Sequence, residues 1–187
     1  MDKTKQLLKW IHENKNIISL YKYLLNLSWQ PEEKDIVLDR LRLYAIELKE
    51  RPHLIKELIR GEGGWRPTLV GNAIAILLRA REFESDLIWR LSNWSWVAPQ
   101  VAAGIAILSG PSTEKDLEPL LKNAMEESDP KIVLSTYSAL KFIGSPLAEE
   151  FESGQIFKTL KDKDRDSCLE IARTHWNFWK EVEPIAD

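Results

Sequence analysis

The chain has 187 residues, a length that is typical of one domain and sufficient to bury a substantial core. Its 26 basic and 29 acidic residues give a net charge of −3, with the acidic excess in residues 91–187, which disfavours a nucleic-acid binder with a broad basic face. The single cysteine, Cys168, excludes an internal disulfide framework and favours a reducing compartment, the cytoplasm.

Helical periodicity runs through the sequence, and no window alternates apolar and polar residues as a half-buried strand would. In chain order the predicted helices span 3–13, 15–27, 31–49, 52–60, 67–79, 83–93, 98–108, 114–127, 129–144, 146–151, 156–160 and 164–180. Charges interrupt the first helix, which is at odds with a secretory signal. Apolar runs stay well short of the ~20 residues that cross a bilayer, so we expect no membrane segment.

The stretch 129–144 carries its own start and stop signals. Asp129 can cap the first free N–H groups of a helix, and Pro130 loses nothing at the first helical position. Gly144 can adopt the left-handed conformation just past the helix end. We therefore predict one well-delimited helix here.

An alanine recurs at similar places in five of the predicted helices, at intervals of 30 to 33 residues. These residues are Ala45, Ala75, Ala106, Ala139 and Ala172. A small side chain lets two helix backbones approach closely where they cross. Similar helices at this period, at least four of them followed by a shorter helix, are typical of a helical-repeat solenoid.

The stretch 129–144 resembles the HEAT-like repeat pattern, in which Asp-Pro opens the first helix and an Ala-Leu pair precedes a closing Ile-Gly. The matching residues are Asp129, Pro130, Ile132, Ala139, Leu140, Ile143 and Gly144. Val133 stands where an arginine is usual, and Lys141 where a small residue is usual. The resemblance covers roughly residues 31–180 and implies an all-α fold, a right-handed α-solenoid of about five HEAT-like helix pairs, similar to armadillo and HEAT superhelices. It implies no particular function.

We expect one helical-repeat domain over residues 1–187. Within it, 1–30 would form N-terminal capping helices, 31–163 the repeats, and 164–187 a C-terminal capping helix.

The sequence contains no recognisable catalytic motif. His12, His53 and His175 have no metal-type spacing, and His175 and Cys168 are predicted to be buried in the last helix. The glycines of 61–64 lack the lysine and hydroxyl of a phosphate-binding loop, and we interpret them as a flexible connection. We therefore predict no enzyme activity, no metal site and no cofactor.

Tryptophan is unusually frequent, with 8 residues, and Trp89 is the most informative of them. Its helix places the apolar residues Phe83, Leu87 and Leu91 on one side, whereas Trp89 falls on the opposite side. A large aromatic residue at this position either packs on a neighbouring short helix or faces outward as a contact residue. Trp94 and Trp96, in the turn that follows, are predicted to pack in the core.

The second helices of such stacks line the concave side, which is their usual binding surface. Polar and charged residues of three successive short helices would surround Trp89 there. The predicted partner-binding residues are Trp89, Arg90, Asp86, Asn93, Lys56, Arg60, His53, Glu118 and Lys122.

The leading hypothesis is a non-catalytic protein-binding module whose concave face, centred on Trp89 and Arg90, binds another protein. A more specific version, based on class-level similarity, is a bacterial immunity or inhibitor protein that covers the active site of a toxin or enzyme. A basic toxin would suit the acidic C-terminal half of the chain. A monomer is favoured.

The alternative is nucleic-acid binding or DNA repair, because compact HEAT-like stacks include the alkylpurine DNA glycosylases. Those enzymes hold DNA in a basic cleft lined by tryptophan and a carboxylate. Trp89, Asp86 and Arg90 resemble that chemistry in residue type only, and the net charge disfavours a nucleic-acid partner. A third option, a pigment-binding or lyase-like role, is supported only by the aromatic residues.

Overall fold

A computed structural model of the chain describes residues 15–27, 29–61, 64–93, 96–127, 129–164 and 167–185. Every regular element in these ranges is a helix, so the prediction of an all-α fold is confirmed. The predicted helix over 3–13 lies outside the described residues. No helix in the described part of the chain combines the length and the apolar composition needed to cross a bilayer.

The helices follow the predicted order closely. They are α1 (Lys15–Ser19), α2 (Tyr21–Asn26), α3 (Pro31–Lys49), α4 (Pro52–Arg60), α5 (Trp65–Leu78), α6 (Glu84–Ser92), α7 (Ala98–Ser109), α8 (Glu114–Glu127), α9 (Pro130–Phe142), α10 (Pro146–Ser153), α11 (Gln155–Asp162) and α12 (Cys168–Glu181). Short 3₁₀ turns, Arg81–Phe83 and Gly110–Thr113, lead into α6 and α8. The helix predicted over 15–27 is divided at Leu20 into α1 and α2.

The start and stop signals of α9 are confirmed. Asp129 Oδ1 accepts hydrogen bonds from the backbone N–H of Lys131 at 3.0 Å and of Ile132 at 3.1 Å. Gly144 has φ +75°, and the N–H of Ser145 donates to the carbonyl of Leu140 at 3.0 Å. The side chain and the glycine therefore satisfy backbone groups that a helix end leaves without partners.

The last helix begins later than predicted, at Cys168. Its first turn is capped by Asp164, whose carboxylate accepts from the backbone N–H of Cys168 at 2.8 Å and of Leu169 at 3.1 Å. Ser167 has the left-handed φ of +51°, so the chain changes direction just before the helix. The apolar pattern alone predicts that Asp164 lies in the last helix, whereas in the structure it lies in the connection before that helix.

Two sets of helices follow one another in space in the order of the sequence. In the first set α3 contacts α5, α5 contacts α7, and α7 contacts α9. In the second set α4 contacts α6, and α6 contacts α8. The sets pack together because α4 lies on α5, α6 on α7, and α8 on α9.

The central helices α5 and α7 are buried on nearly every side. Residues 67–77 of α5 and 98–106 of α7 are all buried. A helix that is apolar all round has to be covered all round. The additional cover comes from α1 and α2, which pack on α5, and from α12, which packs on α7 and α9.

The recurring alanines are all buried, as the repeat pattern predicts. Two glycines also lie at close helix approaches. A Cβ added to Gly71 of α5 would lie 2.7 Å from the backbone nitrogen of Ile59 in α4, and one added to Gly104 of α7 would overlap the side chain of Asn72 in α5. These two positions set the spacing of α5 from its neighbours.

Candidate functional site

A cluster of charged residues joins α4 to α6. Arg60, in the last turn of α4, donates from Nε to Asp86 Oδ1 at 2.8 Å, and Lys56 Nζ lies 3.4 Å from the same oxygen. Asp86 lies in the first turn of α6 and its side chain is 5% exposed. Arg60 and Asp86 each lie at the helix end where the dipole favours their charge, and Lys56 and Arg60 together compensate the buried carboxylate.

Trp89 lies directly beside this cluster, one turn after Asp86 on α6. The guanidinium carbon of Arg60 is 5.0 Å from the centroid of the indole ring, a cation–π distance. Trp89 is 39% exposed and also packs on Arg60 of the neighbouring short helix α4, so each of the two alternatives left open by the sequence holds in part. Arg60 is therefore held between a buried carboxylate and an exposed aromatic ring.

Arg90 makes its contacts away from Trp89, towards the connection between α4 and α5. A Cβ added to Gly61 in that connection would lie 3.2 Å from Nη2 of Arg90. The guanidinium is half-buried, and this burial lowers the pKa of Arg90. Its Nε is buried and has no hydrogen-bond partner among the residues that the structure describes. The structure thus gives Arg90 a position that supports the α4–α5 connection.

Asn93 ends α6. Its Nδ2 donates to the carbonyl of Trp89 at 2.7 Å and to Oγ of Ser92 at 3.1 Å. The carbonyl of Trp89 also accepts from the backbone N–H of Asn93. Asn93 therefore fixes the helix turn that carries Trp89, although its side chain is exposed.

The predicted residues on the outer part of α8 form a pair of their own. Lys122 Nζ lies 2.6 Å from Glu118 Oε1, and hydrogen bonding to Glu118 raises the pKa of Lys122. The charge of Glu150 in α10 also raises the pKa of Lys122. His53, in the first turn of α4, is half-buried. Of the nine predicted residues, the structure joins Lys56, Arg60, Asp86 and Trp89 into one cluster through their side chains.

A shallow cleft of ≈ 440 Å³ lies between the beginnings of α6 and α8. Its walls carry both signs of charge and one apolar side chain. They are Arg81, Glu82, Glu84, Ser85, Ile88, Ser112, Lys115 and Asp116. Ser85 lies one turn before Trp89 on α6, so the cleft extends the surface around the indole. In the sequence, most of these residues do not differ from the polar residues of an ordinary solvent-exposed helix face.

Trp96 contradicts the prediction that it packs in the core, because it is 62% exposed. It lies in the connection before α7, and the Nζ of Lys131 is 5.3 Å from its ring centroid. The inward positions at this point are taken by Val97 and Ala98, which are fully buried. Trp94 lies outside the described residues.

Cys168 and His175 lie in the core, and Asp86 lies in an ion pair. Cys168 and His175 are buried, as predicted. Within the described ranges, no group of three or more His, Cys, Asp or Glu side chains could hold a metal ion. The carboxylate of Asp86 is buried under Arg60 and Lys56, an arrangement that suits a structural ion pair.

Comparison with protein-family models, with curated proteins and with solved structures finds no match for this chain. We define the Arg60–Trp89 surface as the side chains of Lys56, Arg60, Asp86 and Trp89.

Proposed function

We propose that this chain is a non-catalytic protein-binding module and that the Arg60–Trp89 surface is its principal contact. The observation that carries the proposal is the exposed indole of Trp89, which is held by Arg60, itself fixed by the buried carboxylate of Asp86. Tryptophan and arginine are the residues most enriched among the anchors of protein interfaces. Side chains that are already ordered lose less entropy when a partner binds.

The charge around the indole indicates what the partner presents. Lys56 and Arg60 are partly exposed, and Asp86 compensates only one of their two positive charges. We expect the partner to place a carboxylate near Lys56 and an apolar pocket over Trp89. The acidic excess in residues 91–187 would face a different, basic part of the same partner.

We also propose the arrangement of the whole chain as a right-handed, HEAT-like solenoid of about five helix pairs within one domain. The ordered contacts of α3, α5, α7 and α9, and of α4, α6 and α8, support this proposal. The buried recurring alanines support it as well. In such an arrangement α6 is the middle helix of the binding face, which suits a surface centred on Trp89.

The specific role that we favour is that of a cytoplasmic bacterial immunity or inhibitor protein that blocks a toxin or enzyme. The small size of the chain and its acidic C-terminal half support this role, since charge complementarity speeds the capture of a basic partner. We do not propose an enzyme activity for the chain itself.

Co-purification from the cells of origin tests the proposal. Wild-type protein, Trp89→Ala and the matched control Trp96→Ala are compared, since both substitutions remove an exposed indole that contacts a cation. We expect the wild type and Trp96→Ala to retain the same partner and Trp89→Ala to lose it, with unchanged helical content by circular dichroism. Equal retention by Trp89→Ala would contradict the assigned surface, and an inhibited partner activity would support the immunity role.

A further inference from the structure

A small pocket lies among α9, α10, α11 and α12, away from the Arg60–Trp89 surface. Its volume is ≈ 70 Å³, and its walls combine aromatic rings with three cations. They are Tyr137, Ser138, Lys141, Phe142, Glu152, Phe157, Lys161, Leu169 and Arg173. The volume admits a few water molecules, and so one phosphoryl group, but it is too small for a nucleoside.

The floor of the pocket is rigid. The rings of Tyr137 and Phe157 are buried, and their centroids are 4.7 Å apart. Phe151 packs against both of them at 5.7 Å. Helices α9, α10 and α11 meet through these rings, so the aromatic side of the pocket is tightly packed.

One of the three cations is already compensated. Lys141 Nζ lies 2.6 Å from Glu152 Oε2 and donates to the hydroxyl of Tyr137 at 3.0 Å. The hydrogen bond from Lys141 lowers the pKa of Glu152, and the one to Glu152 raises the pKa of Lys141. These three groups therefore form a satisfied unit on one wall.

The other two cations, Lys161 and Arg173, form no ion pair with the residues that the structure describes. A basic residue in the last turn of a helix is common because it offsets the negative end of the dipole, and Lys161 of α11 fits that account. Arg173 lies in the middle of α12, where no such reason applies. Two cations that form no ion pair with the described residues thus line a pocket of phosphoryl size, and with Lys141 they leave its walls two positive charges in excess of the one carboxylate, Glu152.

We propose that this pocket binds one dianionic phosphoryl group, either free phosphate or a phosphate monoester whose remainder lies outside the pocket. Two positive charges match a dianion better than a single carboxylate, and the fork of Arg173 suits two oxygens of a tetrahedral anion. Lys161 supplies a second, point-like charge. The proposal is independent of the protein-binding function.

Phosphate binding by the full-length protein is measured by isothermal titration calorimetry and by thermal unfolding at constant ionic strength. The probes are inorganic phosphate and phosphoserine, with chloride as the ionic-strength control. We expect phosphate to raise the melting temperature in a saturable manner, since a ligand that binds only the folded state stabilises it. Tighter binding of phosphoserine would identify an attached phosphoryl group as the ligand, and equal or weaker binding would identify free phosphate.

Arg173→Gln, Lys161→Gln and the control Lys158→Gln each remove one exposed positive charge from α11 or α12, but Lys158 does not line the pocket. We expect the first two to weaken phosphate binding at least tenfold and Lys158→Gln to leave it within about twofold. All three positions are exposed, so folding is expected to be preserved. A phosphate effect no larger than that of chloride, or equal weakening by all three substitutions, would overturn the proposal.

Discussion

His175 of α12 and the backbone carbonyl of Leu25 in α2 meet at 3.2 Å, although 150 residues separate them. The same carbonyl accepts from Nε2 of Gln100 in α7 at 3.0 Å. It belongs to the last turn of α2, where carbonyls have no partner within the helix, and an unsatisfied group at this buried position would cost free energy. Helix α2 is therefore joined to both α12 and α7 through this one carbonyl.

The contact with Leu25 also fixes the protonation of His175. Because a carbonyl can only accept, Nε2 of the ring carries the proton. The ring is almost fully buried, and this desolvation lowers the pKa of His175 from 6.5 to about 4.

The free energy of unfolding is predicted to depend on His175 between pH 6.5 and pH 4. In this interval the unfolded chain binds a proton that the folded chain does not, so stability falls as the pH falls, by up to ~1.4 kcal/mol per pH unit. Above pH 6.5 the ring is neutral in both states and the contribution is complete. Urea unfolding between pH 7 and pH 4.5 measures the dependence.

The variant His175→Gln is the control for this dependence, since its amide can donate to Leu25 but does not titrate. We expect its stability to fall less steeply with acid than that of the wild type. Parallel curves for the two proteins would show that the proton uptake belongs to other groups.

Gly71→Ala is predicted to destabilise the protein by about 1–3 kcal/mol, because the added Cβ would lie 2.7 Å from the backbone of Ile59. Helix propensity alone predicts the opposite sign, a stabilisation of up to ~1 kcal/mol. Chemical denaturation distinguishes the two. The exposed α12 substitution Asn177→Ala serves as the control and should change stability by no more than ~0.5 kcal/mol.

Asp129→Ala is predicted to cost about 1 kcal/mol of stability through loss of the α9 cap, and Asp129→Asn to cost only a fraction of that, because asparagine is also a good N-cap. Thermal and urea unfolding of the two variants provide the test. An equal loss in both would assign the effect to charge rather than to capping.

The sequence predicted those features whose signals are local. The cap at Asp129 and the turn at Gly144 depend on residues within one or two helical turns of each other, and the structure contains both. Arg60 and Asp86 were both assigned to the binding surface. Their ion pair joins residues 26 apart, and no periodicity specifies such a contact.

The features that the sequence did not predict depend on tertiary packing. Trp96 is exposed because its neighbours Val97 and Ala98 take the inward positions. A hydrophobic pattern does not indicate which of several adjacent apolar residues in a connection is buried. Likewise, Gln100 and His175 converge on Leu25 only because α12 packs on α7. The glycine contact between Gly104 and Asn72 has the same origin.

Arg60 and Trp89 are predicted to act as one unit in partner binding. Arg60→Ala removes the cation that holds the indole, so its effect on the dissociation constant should overlap with that of Trp89→Ala. We expect the double variant to lose less binding free energy than the two single variants lose in sum. The coupling free energy between the two residues should exceed ~0.5 kcal/mol. Strict additivity would contradict an indole oriented by Arg60.

The affinity of the co-purified partner for wild-type protein, Trp89→Ala and Trp96→Ala, measured by calorimetry, tests the central claim most directly. The account predicts that Trp89→Ala loses roughly 2 kcal/mol or more of binding free energy, about a thirtyfold rise in the dissociation constant, while Trp96→Ala stays within about threefold of the wild type. An unchanged affinity of Trp89→Ala, or a loss that is larger at Trp96, would contradict it.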